Sequence, residues 1–321
     1  MSETAGTLAH ALLIGDRNIR DAGCSDVLND APFLAALRTT TASHGRVHKY
    51  LKEDGAPSVG FRAVNTGRAN TKSSDIEVTQ NLEYLDPSWD MDVAIANAYP
   101  AAKGGWEGFS QRESARSIKS ALSAAEKQIF YGTGNDSAGF AGLNVASTVR
   151  YKDSAMVLDA TGTTVGGTTS VWMIRTDDSE RECMFVLGEG GNITVPDQAT
   201  TIQKLDGDGH PYAAYFVPMG GWFGMQIGSR YSVGRICNLT TQSGHGLTDA
   251  LLFSLLEKFP ATRQPNLIVM SNQSRSQLQR SRTATNATGS PAPLPSDWEG
   301  IPIITTGSIV NTEAVVGATP S

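Results

Sequence analysis

Residues 110–144, SQRESARSIKSALSAAEKQIFYGTGNDSAGFAGLN, constrain this chain more than any other stretch. They predict a long helix that stops in a glycine-rich, acid-tipped loop. Ser110 and Glu113 form an S-x-x-E capping box, in which the two side chains satisfy free backbone N–H groups at the helix start. Ala115, Ile118, Leu122, Ala125 and Ile129 recur at spacings of three and four and make one apolar stripe. Arg112, Arg116, Lys119 and Ser123 make a second, polar stripe. Lys127 sits near the helix end, where a cation suits the macrodipole. Gly132 is placed to end the helix, and Gly134, Gly139 and Gly142 prevent its resumption. A helix of about 20 residues spans roughly 30 Å. No catalytic side chain stands on it. Alone, the segment fits an ordinary core helix or the rod of a protein that holds copies of itself together.

Composition narrows the class. At 321 residues the chain can bury a substantial core, as one large or two ordinary domains. Charged residues are 18% of it, below the roughly 25% usual for globular chains, and the net charge is -6 with no long basic run. Tight sequence-specific nucleic-acid binding rests largely on phosphate neutralisation, so it is not expected. Cys24, Cys183 and Cys237 are odd in number and far apart; they form no disulfide framework or metal knuckle and fit a reducing compartment. No signal peptide opens the chain and no apolar run reaches membrane-spanning length, so no membrane contact is expected.

Residues 1–40 read as an irregular arm with short helical pieces. Residues 9–14 are apolar, and Asn29-Asp30-Ala31-Pro32 reads as a helix start leading into Phe33, Leu34 and Leu37. So short an arm makes no core of its own and must pack on something else. Residues 46–92 read as an extended hairpin. Val59, Phe61 and Ala63 alternate as in a strand, Ile76, Val78, Leu82 and Tyr84 do so on the return, and a polar tip lies at 65–74. The outbound half carries Arg46, Lys49, Lys52, Arg62, Arg68 and Lys72 against only Glu53 and Asp54. The return half carries Asp75, Glu77, Glu83, Asp86, Asp90 and Asp92 and no basic residue. Such arms can pair across the hairpin or meet a complementary surface on a neighbour. A lone two-stranded hairpin is marginal in water, so it needs support from elsewhere.

Beyond the glycine loop, short strands are expected at 171–174, 184–187, 212–217, 222–227, 231–239 and 266–270. A helix at 249–258 is capped by Thr248 and stopped by Pro260. A second, at 273–282, is capped by Asn272, with Leu278 inward and Arg275, Arg280 and Arg282 mostly outward. A polar loop at 283–295 leads to two last strands, at 301–305 and 313–316. Strands mix with helices without a βαβ rhythm, which indicates an α+β fold.

The search for chemistry assigns none. His44 and His48 stand four apart, but Gly45 lies between them and no third ligand or HExxH order is evident. Asp206-Gly207-Asp208-Gly209 resembles the opening of a calcium loop, yet Pro211 and Val217 stand where an EF-hand needs Gly and Glu, so a polar turn is expected. The glycine runs at 188–191 and 132–142 match no phosphate-binding fingerprint, and Asp136 is unsuited to one. Ser243, His245 and Asp249 are close in sequence, but a triad is defined by geometry. No catalytic residue, metal site or cofactor is expected.

The order of parts is apolar arm, charge-segregated hairpin, long helix, glycine loop, mixed region and terminal strand pair. Within it stand Ile129-Phe130-Tyr131-Gly132 and Gly139-Phe140-Ala141-Gly142-Leu143 after the helix, and Val59-Gly60-Phe61-Arg62 in the hairpin. Arg235-Ile236-Cys237-Asn238 ends a strand, and Gly300-Ile301-Pro302-Ile303 and Asn311-Thr312-Glu313-Ala314 lie further on. This pattern resembles the major capsid proteins of tailed bacteriophages, with the Hong Kong 97-type capsid fold, over nearly the whole chain. Each motif alone is mostly glycine and apolar residues; their order and spacing carry the resemblance.

The resemblance implies an N-terminal arm at 1–45 and an extended β-hairpin loop at 46–92 lying over a neighbouring subunit. It implies a peripheral domain at 93–139, whose spine helix covers 110–131, or 106–131 at its longest, and a mainly axial domain at 140–295 with some peripheral strands. Strands at 296–321 would return to the peripheral domain. Intersubunit contacts would fall on Arg62, Arg68, Lys72, Asp75, Glu77 and Glu83. Ile118, Leu122, Ile129, Arg112 and Arg116 would form the spine, and Gly132, Gly139, Phe140 and Gly142 the turn between domains. Many copies would assemble as hexamers and pentamers of an icosahedral shell around double-stranded DNA, which is held without sequence specificity. Arm and hairpin could change conformation during maturation. A separate scaffolding protein, a portal and a decoration protein are the implied partners, and the virion, assembled in the bacterial cytoplasm, the implied location. Some relatives crosslink a hairpin lysine to an asparagine of a neighbour; Lys72 lies near the tip, but no acceptor or catalytic acid is identifiable. The rival readings are an encapsulin-like compartment shell and a β-rich polysaccharide hydrolase.

Overall fold

The computed structural model describes residues 29–55, 57–68, 71–98, 105–177, 179, 182–188, 199–286 and 290–320. The first 28 residues of the expected arm, with the 9–14 run, His10 and Cys24, lie outside the described residues, as does 189–191 of the second glycine run. The described arm begins as expected: Pro32 opens a short helix, α1 (Pro32–Ala36), and its fixed φ suits that position. A strand, β1 (Thr39–Thr41), follows. The hairpin is β2 (Val47–Gly55) paired antiparallel with β3 (Ser74–Asn81). Its outbound strand therefore lies before Val59, Phe61 and Ala63, which stand in an exposed non-strand segment. Their alternation has no facing strand, because the return strand is already paired with 47–55. Leu82 and Tyr84 lie past β3; Leu82 is buried, and Tyr84 belongs to β4 (Glu83–Leu85), which joins another sheet.

The chain continues through β5 (Trp89–Asp92) and a one-turn helix, α2 (Val93–Asn97), capped by Asp92. The long helix, α3, spans Gly105–Tyr131. It thus starts five residues before Ser110, and the expected capping box lies inside it. The extra turn carries Trp106 and Phe109, which join Trp89 and Tyr215; the Trp106 and Tyr215 rings stack at 4.9 Å. Burying an aromatic cluster outweighs a cap worth about 1 kcal/mol. Ser114 instead accepts a hydrogen bond from Trp89 Nε1, and Glu113 lies 3.6 Å from Arg116.

The later strands are β6 (Val157–Asp159), β7 (Thr169–Ile174), β8 (Cys183–Leu187), β9 (Thr200–Leu205), β10 (Pro211–Val217), β11 (Gly221–Ile227) and β12 (Val233–Leu239). Helix α4 (Asp249–Leu256) is capped by Thr248 as expected. Strand β13 (Leu267–Met270) leads into α5 (Asn272–Thr285), whose cap is Ser271 rather than Asn272. Strands β14 (Asp297–Trp298) and β15 (Ile301–Thr305) follow. The described strands form sheets β1-β8-β11-β4, β5-β10-β9, β14-β15-β13-β7-β12-β6 and the hairpin. β13 and β15 are parallel neighbours joined through α5, so one βαβ unit does occur in the α+β fold. A single apolar core runs from Phe33 and Leu34 through Leu122, Ile129 and Phe130 to Trp172, Ile236, Phe185 and Phe223. Each such side chain contributes roughly 1.5–3 kcal/mol by leaving water.

The expected strand at 313–316 is not formed. Glu313 makes one bridge to Thr168, after which backbone groups turn to side chains: Val316 N–H donates to Asn238 Oδ1. Asn238 is itself in the left-handed region, at φ 58°, where β12 is irregular. It thus serves as a bracket for the crossing segment.

Candidate assembly surfaces

The hairpin is tied to the body along its outbound strand, from His48 near its start to Glu53 near its end. His48 Nε2 lies 2.6 Å from Gln226 Oε1, and Ile227 N–H donates to Tyr50 Oη at 3.3 Å. Glu53 N–H donates to the Gly228 carbonyl, and its carboxylate lies 2.7 Å from Arg263. Arg46 stands over the Trp222 ring at 4.3 Å. These contacts give the two-stranded ribbon the support it needs.

Across the hairpin the arms offer little ion pairing to each other. Lys49 and Glu77 are 3.9 Å apart and both exposed, worth at most about 1 kcal/mol. Arg62 and Arg68 are turned inward on their own loop. Arg68 donates to the carbonyls of Gly60 and Ser58 at 2.7 and 2.6 Å, and Arg62 to that of Thr66 at 3.0 Å. Lys72, Asp75 and Glu77 are exposed, and Glu83 is half-buried in β4. The structure therefore brings Arg62 and Arg68 together as loop staples and leaves the other candidates spread along the ribbon.

On the spine helix, Ile118, Leu122 and Ile129 are buried as their spacing requires, while Arg112 and Arg116 are exposed. The arm lies along this helix. Asp30 lies 3.3 Å from Lys119, and the Phe33 and Phe130 rings are 5.1 Å apart. Glu126, fully buried, accepts from Leu34 N–H at 2.9 Å and from the Thr306 hydroxyl. It is in effect a remote cap for α1. Burial raises its pKa above the ordinary carboxylate value, while the donors from Thr306 and Leu34 act the other way.

The glycine loop closes on the helix end. Gly132 has φ +50°, and a Cβ there would strike the backbone of Gly142. Gln128 Nε2 donates to the carbonyls of Phe140 and Asp136, and Gln128 Oε1 accepts from Asn135. Gly139 leaves room for that amide. Phe140 is buried, with its ring centroid 6.0 Å from that of Phe185. The loop's carbonyls are thus aimed at Gln128, which suits a fixed turn and not an anion cradle.

Two of the sequence marks meet at the same helix end. Arg235 Nη2 is 3.0 Å from Glu313 Oε2, which also accepts from Ser170 Oγ at 2.5 Å. Tyr131 Oη donates to Glu313 Oε1 at 2.7 Å and accepts from Val310 N–H. Burial, then the Glu313 charge, raises the Tyr131 pKa well above that of a free phenol. Arg235 also stacks on Trp172 at 4.8 Å. Elsewhere, Arg275 donates to the Pro295 carbonyl, and Arg282 makes a forked contact with Asp249, so these two face their own chain more than expected. Arg280 is exposed. The Ser243, His245 and Asp249 group does not converge: His245 Nδ1 lies 3.0 Å from the Ala160 carbonyl, while Asp249 accepts from Arg282 and Trp298. Gln128, Glu126, Arg235 and Glu313 had no place among the expected site residues. Their signal was visible only as polar residues inside apolar runs or motifs.

This arrangement of hairpin, long helix and mixed sheets is shared with known shell subunits. The chain is similar to a solved structure of bacteriophage Epsilon15, with TM-score 0.65 and 18% identity over 87% of this chain and 88% of that one. It is also similar to a chain of the capsid of bacteriophage JBD30 decorated with minor capsid protein trimers, with TM-score 0.50 and 9% identity over 85% and 89% of the two chains. A search of curated proteins finds no match. The fold is the Hong Kong 97-type capsid fold, and the protein is a phage capsid shell protein. The family model for major capsid protein GP7 matches residues 21–317, and the chain belongs to that family.

Proposed function

We propose that this capsid protein assembles as hexamers and pentamers of an icosahedral shell that encloses double-stranded phage DNA. The observation that carries the reading is the family match across residues 21–317. In this reading 1–45 is the arm, 46–92 the extended loop over a neighbour and 93–139 the peripheral domain with its spine. Residues 140–295 are mainly the axial domain, and 296–321 return to the peripheral domain. Contacts from Thr306 and Glu313 to the spine helix support that return. Interfaces that close by rotation give rings, and many modest contacts add by multivalency. In this reading the exposed Arg112 and Arg116 stripe, and Lys72, Asp75 and Glu77 of the hairpin, face neighbouring copies.

A net charge of -6 suits a container that holds DNA by confinement. Arg282 and Arg275 hold their own chain, so they add little attraction for phosphate. A separate scaffolding protein, a portal and a decoration protein complete the set of partners, with assembly in the bacterial cytoplasm. Electron microscopy of particles from cells producing the phage tests this reading. Density for this chain is expected at both five-fold and six-fold clusters of a DNA-filled shell. Its absence from the shell, or a stable monomer with no particles, overturns it.

A further inference from the structure

The hairpin tip carries three apolar side chains that its own body leaves uncovered. Phe61 is 109% exposed, Val64 88% and Val59 83%. Single exposed apolar residues are ordinary. Three within six positions, on the loop that joins β2 to β3, are a concentration of exposed apolar side chains of the kind that marks an interaction site. The loop that bears them is also shaped in advance. Arg68 binds the carbonyls of Ser58 and Gly60, on either side of Val59, and Thr71 donates to Ser58 as well. Arg62 closes the other side through Thr66, whose hydroxyl donates to Ala63. Two of the cations that the family resemblance offered as intersubunit contacts therefore hold the apolar tip in place.

We propose that Val59, Phe61 and Val64 are the anchor by which the hairpin grips a second copy of this chain, and that the grip is apolar rather than electrostatic. The inference rests on the shell reading above and adds which residues bind, and by what force. The occupant is another copy for three reasons. Val59, Phe61 and Val64 are uncovered by their own subunit, contacts along β2 as far as Glu53 fix the strand that leads into their loop, and the shell reading sets many copies of this chain side by side. Preorganisation by the arginine staples lowers the ordering cost of binding. An apolar grip also tolerates the like net charge of two copies at physiological salt, where exposed charges are screened beyond about 8 Å.

The test compares wild type, Phe61→Ser and the double variant Asp75→Asn/Glu77→Gln in phage-producing cells. The melting temperature of the unassembled subunit controls for folding. Phe61→Ser is expected to leave that melting unchanged and to lower shell yield at least about tenfold, through the loss of one buried aromatic contact per subunit. The charge variant should change yield less than about twofold. Benzoylphenylalanine in place of Phe61 should photo-crosslink to a second copy of this chain within shells. Normal yield from Phe61→Ser, a larger loss from the charge variant, or a crosslink to a different protein overturns the proposal. Failure of the wild type to form shells would instead sink the shell reading itself.

Discussion

Arg235 Nη2 lies 3.0 Å from Glu313 Oε2 with both side chains buried, and that pair joins β12 to a segment 78 residues further on. Ser170, Tyr131 and Trp172 complete the shell around it. Breaking such a pair leaves an uncompensated buried charge. Glu313→Ala should cost about 3–5 kcal/mol in urea unfolding of the unassembled subunit. Replacing both residues together, Arg235→Met with Glu313→Leu, should recover much of that loss, because the desolvation cost goes with the charges. A Glu313→Ala cost below about 1 kcal/mol would contradict this account.

Gly132 and Gly134 make a matched comparison two positions apart. Gly132 has φ +50° and faces the Gly142 backbone, whereas a Cβ on Gly134 would meet nothing closer than Asn144 Nδ2 at 4.0 Å. Gly132→Ala should destabilise by about 2 kcal/mol or more, and Gly134→Ala should stay within about 0.5 kcal/mol. Equal effects in the same unfolding assay would mean that the loop is not locked to the helix end.

Glu126 gives a pH signature. Burial raises its folded pKa above the unfolded carboxylate value of about 4.3. The folded state then binds the proton more tightly, so its contribution is fully present below the unfolded pKa and is lost as pH rises through the folded value. The melting temperature of wild type relative to Glu126→Gln should therefore fall as pH rises from about 4. A difference that is flat, or that grows with pH, would show that the hydrogen bonds from Leu34 and Thr306 outweigh desolvation.

Asp249 serves two partners, the Arg282 fork and Trp298 Nε1 at 3.0 Å. Asp249→Ala should cost about 2 kcal/mol, since a charge-assisted pair and an indole donor lose their acceptor together. Arg282→Lys keeps the charge but not the fork, and should cost about 1 kcal/mol. Thermal melts of the two variants, compared with wild type, read this order directly.

What could be read from sequence was whatever a short window decides. The Ile118, Leu122 and Ile129 stripe follows from helical period, Gly132 from the need for positive φ, and Thr248 from capping chemistry. The misses depend on distant partners. The helix starts at Gly105 because Trp106 and Phe109 find Trp89 and Tyr215. The Val59 and Phe61 alternation looked like a strand because a period of two says nothing about whether a partner strand is present. Residues 313–316, EAVV, carry strand-forming valines, yet their backbone is bracketed by Asn238 and Thr168. In the hairpin, charge segregation was visible, but the inward turn of Arg62 and Arg68 was not, because carbonyl acceptors carry no sequence signature.

Glu126 also sets an order of events for the nascent chain. Its donors come from Leu34, 92 positions earlier, and Thr306, 180 positions later. A ribosome-bound chain that stops short of Thr306 holds this acid in the core with part of its coordination missing. Loop closure over such separations is slow. Glu126 therefore gains its full set of donors only once the 306 region has been made, so the contact that links arm, helix and C-terminal segment is completed late in synthesis.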